Sequence, residues 1–386
     1  MSRFPEEDLA LTPAQGFGYF PSYPGQKLHK GRYEVQRKLG YGPRSSVWLV
    51  LDSQTDEYFA AKILTAHETL ERPSNELDAL TTAAKGGYIN LYESFLENSL
   101  HGAHLCLVLD VAGPSYEDLR LSSPAKALPR HVVQRAVACV LEELEKLHDC
   151  GIIHGAVAAT NIVFEIGTSR EDLEPELAKL PPCEVKERAA IDGVEYPIIR
   201  SSRIPNGIDW NDSLEVINRC LINLINLGHA QKIKGLPTWD KSRVDKALRP
   251  PEAILGLPYS PKVDVWLLGC TAYQLLTGKP LVPAEKATTD EETLSWLIAM
   301  SDGHLTADMV TDSKLRSNFF NEDGSLELNV PDDSLDKQIL LSQVVPEEDI
   351  PGIVKFLQAC LTLDPAKRLS PSDLSDHEWV RPGFEG

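Results

Sequence analysis

The sequence has no run of about 18 apolar residues, and its opening, MSRFPEEDLA, has no apolar core. Neither a membrane span nor a secretory leader is therefore expected, and a cytoplasmic or nuclear setting follows. Positive charge is also scarce: 38 Lys and Arg face 57 Asp and Glu, a formal net charge of -19. That excess weighs against direct nucleic-acid backbone binding and is compatible with basic protein partners, although solubility alone would account for it. Cysteine is sparse. The seven thiols (Cys106, Cys139, Cys150, Cys183, Cys220, Cys270, Cys360) are scattered, odd in number and without metal or redox spacing, which reads as reduced structural cysteine. No internal repeat is present. The rest is ordinary globular composition, 42% hydrophobic and 25% charged over 386 residues, with room for one large or two coupled domains.

Along the chain, residues 1–32 mix Pro, Gly and aromatics (GFGYFPSYPG) and read as an extended N-terminal arm. From residue 33 the pattern becomes that of strands: RYEVQRKLG, then VWLVLDS after the turn YGPRSS, then YFAAKIL. ETLERPSNELDALTTAA follows as a helix with a loose start near Pro73 and a good run from Asn75. YINLYESFLE and HLCLVLDVAG supply two more strands, closing a small unit of five strands and one main helix near residue 113. Residues 114–386 are mainly helical. RHVVQRAVACVLEELEKLHDCG has helical apolar spacing, PKVDVWLLGCTAYQLLTG reads as the central buried helix, and Ser370 with Pro371 suits a helix start. Between the short strand-like pieces IVFE and LINLINLG lies a polar insertion, 166–219, too long for a plain loop and so partly structured or functional.

Two constellations carry chemistry. In GYGPRSSV, Gly40 and Gly42 lie between apolar strands, where missing side chains let a hairpin approach a ligand and offer backbone amides to phosphate oxygens; any glycine-rich hairpin would look the same. Lys62 ends an apolar strand, and Glu76 on the following helix is the carboxylate that would hold its ammonium toward phosphates. The bland alternative is an exposed strand-end lysine and an exposed helix glutamate. The order glycine hairpin, lysine, helical glutamate favours the ligand-binding reading.

On these residues the chain resembles the eukaryotic protein kinase superfamily over about residues 33–382, and more narrowly the serine/arginine-rich protein kinases, whose arm before RY is similar to YPGQKLHKGRY. The resemblance implies an α+β, bilobal fold: a small five-stranded antiparallel lobe with one main helix and a larger, mainly helical lobe. It implies ATP as cofactor, with Gly40, Gly42, Ser45 and Val47 in the glycine loop and Lys62 and Glu76 as the phosphate-pairing couple. It places Leu109, Asp110 and Ala112 at the hinge, and Val47, Ala60 and Val163 around the adenine. Glu252 with Arg368, Asp264, and Leu80, Leu227 and His154 match scaffold positions, for which packing is the leading reading.

Where the family keeps its charge, this chain departs. The catalytic-loop aspartate and lysine correspond to Ala156 and Ala158 in HGAVAATN, and a methyl group neither accepts a proton nor counters developing negative charge. The first metal-holding aspartate corresponds to Asn226, while Asn161 retains the second metal position. This nearly neutral pair should hold magnesium weakly or not at all. The threonine near the end of the activation segment maps to Asp245, and the neighbouring tyrosine to Leu248.

The expectation is a pseudokinase, a regulatory or scaffolding module with weak ATP binding and without efficient phosphoryl transfer. Its partners would be proteins, with acidic stretches in 283–350 suited to basic arginine/serine-rich segments. The enzyme alternative is a serine/threonine kinase of the same branch in which Asp245 substitutes for the missing carboxylate. Nucleotidyl transfer has no positive marker, and a scaffold with an empty nucleotide site stays open.

Overall fold

A computed structural model describes residues 6–71, 75–234, 246–258, 260–301, 305–313, 315–323 and 326–385. The chain divides into two compact units, Met1–Pro114 with Glu165–Gly207, and Ser115–Phe164 with Ile208–Gly386.

The first unit is built on β1 (Lys27–Leu28), β2 (Tyr33–Gly42), β3 (Ser45–Asp52), β4 (Glu57–Leu64), β5 (Leu91–Ser99) and β6 (Gly102–Leu109). They form one antiparallel sheet in the order β1-β2-β3-β4-β6-β5. Five of these strands are the expected ones. The sixth comes from the arm, where Lys27 and Leu28 pair with Glu34 and Tyr33. Alternate residues point to one face, so Tyr33, Val35, Trp48, Val50, Phe59, Ala61, Ile63, Cys106 and Val108 pack together with Phe20 and Leu28 of the arm. The other face is buried too. There Leu39, Leu49, Tyr58 and Ala60 meet Val111 and, from the insertion, Leu173 and Ile204. Two covered faces explain why VWLVLD and FAAKIL read as nearly continuous apolar runs. Two helices follow β4 where one was expected: α1 (Ala66–Glu71) and α2 (Asn75–Lys85). Pro73, where the loose start falls, lies outside the described residues.

The insertion is structured, with a helix Arg170–Lys179 and a hairpin of strands Val185–Ile191 and Val194–Ile199. Although the sequence assigns 166–219 to the larger lobe, residues 165–207 group with the first unit. The physical reason is their apolar residues, Leu173 and Ile204 on one sheet face and Ile199 on the other, with Tyr58 N–H donating to the Thr168 carbonyl at 2.9 Å.

The second unit is mainly helical and has one large core. Its centre is the helix Lys262–Thr277, buried at every position except Lys262 and Gln274, which explains an apolar pattern without a polar stripe. Gly269 lets it pack closely: a Cβ there would meet the Cys360 Cβ at 2.7 Å, on the helix Ile350–Cys360. The long helix Arg130–Asp149 packs into the same core. Ser370 starts the helix Pro371–Ser375 as expected, accepting from Asp373 N–H at 3.1 Å while the Asp373 carboxylate accepts from Ser370 N–H at 2.9 Å. All seven cysteines are free, and burial pushes the thiols of Cys139 and Cys270 up to about 11 and about 12. Among the described residues no helix is long and apolar enough to cross a membrane.

Candidate functional site

The sequence-selected residues fall into two groups, one in each unit. In the first unit, β2 and β3 form a hairpin in which Gly42 pairs with Ser45 and Gly40 with Val47. Neither glycine has a positive φ, and a Cβ on either would meet no atom within 4 Å. The fold itself therefore does not require glycine at either place. Val47 on β3 pairs with Lys62 on β4, and Ala60 pairs with Leu49 on one side and Leu109 on the other. Lys62 Nζ lies 2.5 Å from Glu76 Oε1, with the two side chains 12% and 9% exposed. The expected pairing is therefore formed, and the low exposure removes the bland reading of two solvated charges.

After β6 comes the segment Leu109, Asp110, Val111, Ala112. The Asp110 carboxylate is held by the Tyr92 hydroxyl at 2.7 Å and the Asn90 amide at 3.0 Å, both from the β5 side. Burial, and then that carboxylate, raise the Tyr92 hydroxyl above its ordinary range, keeping it a donor. Neither partner was singled out from sequence, because residues 18 and 20 positions away have no periodic relation to Asp110.

In the second unit, Asp264 organises the loop that follows Ile153. Its Oδ2 accepts from His154 N–H at 2.8 Å and lies 2.9 Å from His148 Nε2, and its Oδ1 accepts from Gly155 N–H at 2.7 Å. Gly155 has φ +73°, and a Cβ there would lie 3.0 Å from the His229 carbonyl oxygen. Its role in shaping the loop was missed from sequence, where HGAVAATN was read for lost charge alone. Further along, Thr271 Oγ1 donates to the Val157 carbonyl at 3.0 Å and Asn161 N–H to the Ala158 carbonyl at 2.8 Å. Ala156 and Ala158 are half-buried, and Val163 is buried in the strand Ile162–Glu165, opposite Asn223.

The two asparagines meet. Asn161 Nδ2 donates to the Ala156 carbonyl at 2.7 Å, and Asn226 Nδ2 donates to Asn161 Oδ1 at 3.1 Å. The orientations follow from chemistry, since a backbone carbonyl only accepts: Asn161 must turn its NH2 to Ala156 and its oxygen to Asn226, which must then present its own NH2. Asn226 holds this position with φ 76° and ψ 68°, a left-handed conformation that asparagine tolerates better than most residues. Asp245, singled out as a substitute carboxylate, lies outside the described residues.

The scaffold pair is fully formed. Glu252 and Arg368 make a two-pronged ion pair at 2.8 and 2.9 Å with both side chains 0% exposed, and Arg368 Nε donates to the Thr362 carbonyl at 3.0 Å.

The family model described as Protein kinase domain matches residues 33–173 and 213–380. The chain belongs to the protein kinase domain family. Of this kinase domain's relatives, the serine/threonine-protein kinase SRPK of Physarum polycephalum is 25% identical over 401 residues, covering 98% of this chain and 92% of the relative. The human dual specificity tyrosine-phosphorylation-regulated kinase 3 is 24% identical over 373 residues, covering 90% of this chain and 54% of that protein. A kinase-domain crystal structure superposes with a TM-score of 0.65 at 19% identity, over 94% of this chain and 98% of the other, a likeness of fold alone. The gap in the family match, 174–212, falls within the insertion.

Proposed function

We propose that this kinase domain is a pseudokinase of the serine/arginine-rich protein kinase branch, a regulatory or scaffolding module that binds ATP weakly and transfers phosphoryl groups inefficiently or not at all. The observation that carries the reading is the amide chain from Asn226 through Asn161 to the Ala156 carbonyl. Magnesium fits this donor set poorly, because the Asn161 oxygen already accepts an N–H and neither side chain bears the charge a hard divalent ion favours. Ala156 and Ala158 add nothing that could move a proton or steady a phosphoryl group, and losses of that kind each cost about 10²-fold or more. They strike the same step and need not multiply.

Nucleotide binding is a separate property. The formed Lys62–Glu76 pair and the two unobstructed glycines support retention of an ATP-holding surface in the first unit. Gly40, Gly42, Ser45, Val47, Ala60, Lys62, Glu76, Leu109, Asp110 and Ala112 are assigned to it, whereas Asn161 and Val163, which lie in the second unit, are assigned to nucleotide from the family resemblance alone. For partners we favour proteins with basic arginine/serine-rich segments. Glu322, Glu327, Asp332, Asp336, Glu347 and Glu348 are all exposed and would attract such a chain.

The test is purified protein with radiolabelled ATP and an arginine/serine-rich peptide, beside Lys62→Met and Asp245→Ala variants. The expected result is no peptide labelling above background. Stoichiometric labelling abolished by both substitutions would overturn the proposal in favour of an active serine/threonine kinase using Asp245. Calorimetric titration with ATP, in magnesium and in chelator, is expected to give weak saturable binding that chelator leaves unchanged.

A further inference from the structure

The arm and the insertion converge on one buried lysine beside the glycine hairpin. Lys38, on β2, is 0% exposed, although an unpaired buried ammonium is costly. Its Nζ contacts the carboxylates of both Glu6, at 2.8 Å, and Glu7, and donates to the Ile199 carbonyl at 3.1 Å. Glu6 in turn accepts from Ser201 N–H and from Ser201 Oγ, each at 2.8 Å, and Ser202 N–H donates to the Lys38 carbonyl at 2.9 Å. One ammonium thus ties together the arm, the strand leading into the hairpin and the last strand of the insertion. A second tie lies four residues on, where the Tyr19 hydroxyl donates to the Gly42 carbonyl at 2.8 Å. Leu9, Tyr19 and Ile198 form a small buried cluster that supports both ties.

We propose that residues 6–20 and the 185–202 segment form a charge-controlled latch on the β2–β3 hairpin, and that separating Glu6 and Glu7 from Lys38 frees the hairpin to move. Two carboxyl groups share one ammonium at this buried junction. Replacing a buried ion pair by apolar groups of equal volume is often neutral or stabilising, so holding the arm does not by itself call for charge. Burial raises the Glu7 carboxyl above its ordinary range, as expected for an acid held against its solvation preference. Ser201 is the point of control, because negative charge added there faces Glu6 directly. The device does not depend on whether the domain binds nucleotide or transfers phosphate.

Hydrogen–deuterium exchange on the full chain without nucleotide tests it. Tyr19→Phe removes one hydroxyl and leaves the packing, and it is expected to speed exchange over 40–47 by about fivefold, the change in local opening that one neutral hydrogen bond supplies. Ser201→Glu sets a carboxylate against Glu6 and is expected to speed exchange in both 6–20 and 38–47, with the remaining strands unchanged. The latch is refuted if Tyr19→Phe leaves 40–47 at the parent rate. It is also refuted if Ser201→Glu leaves 6–20 protected, or frees 6–20 while 38–47 stays as protected as before.

Discussion

Asn226→Asp is the sharpest perturbation of the site. In the parent protein the Asn226 NH2 donates to Asn161 Oδ1 at 3.1 Å, and the Asn161 NH2 is committed to the Ala156 carbonyl at 2.7 Å. The substituted carboxylate has no hydrogen to give, so two oxygens face one another across the former bond. Losing that bond in a half-buried place costs about 1–2 kcal/mol, and Asn161 cannot turn over to compensate without abandoning Ala156. The new carboxylate and Asn161 Oδ1 would both suit a hard divalent cation, whose charge would offset the loss. If the site created is a weak one, with a dissociation constant of about 1 mM, then about 10 mM magnesium stabilises the variant by roughly 1.4 kcal/mol. Thermal unfolding with magnesium chloride, against potassium chloride of equal ionic strength, reads both effects. The variant should unfold at a lower temperature than the parent without magnesium and regain most of the loss with it, while the parent responds to the two salts alike. Equal magnesium stabilisation of parent and variant, or an unchanged variant without magnesium, would refute the reasoning.

Other substitutions should give equally definite results. Glu252→Ala would strand the Arg368 guanidinium at 0% exposure and is expected to cost about 3–5 kcal/mol in chemical denaturation. Gly155→Ala forces a side chain onto φ +73° and against the His229 carbonyl, a loss of roughly 1–2 kcal/mol by the same measurement. His104 gives a pH signature. It is buried with Nδ1–H on the Leu64 carbonyl at 2.8 Å and Nε2 facing Ser99 Oγ at 2.7 Å, and burial lowers it from 6.5 to about 4. Because the unfolded chain takes up the proton first, the contribution of this histidine is fully present above about pH 6.5 and is lost as pH falls toward 4, about 3 kcal/mol in all. His104→Gln should flatten the stability profile across that interval, and a profile of unchanged slope would exclude the role.

Much of this molecule was legible in its residues. Strands β2 to β6 were readable because turns punctuate short apolar runs, and the central helix because Lys262–Thr277 is apolar on all sides. The Lys62–Glu76 pair was legible from order alone, and distance then showed it formed. That positions 156 and 158 carry only methyl groups is a fact of the sequence that no fold alters. Tertiary structure decided matters of a different kind. Lys27–Leu28 became a strand only because an edge was available to pair it, since two residues carry no periodicity. Residues 165–207 joined the first unit through apolar side chains whose complementary faces exist only once the sheet is assembled. Tyr92 and Asn90 on Asp110, Asn226 on Asn161, and Glu6 and Glu7 on Lys38 are contacts between residues far apart in the chain. A sequence states which groups can donate and accept, but the partner each group finds depends on where folding places it, because hydrogen bonds and ion pairs act over only a few ångströms.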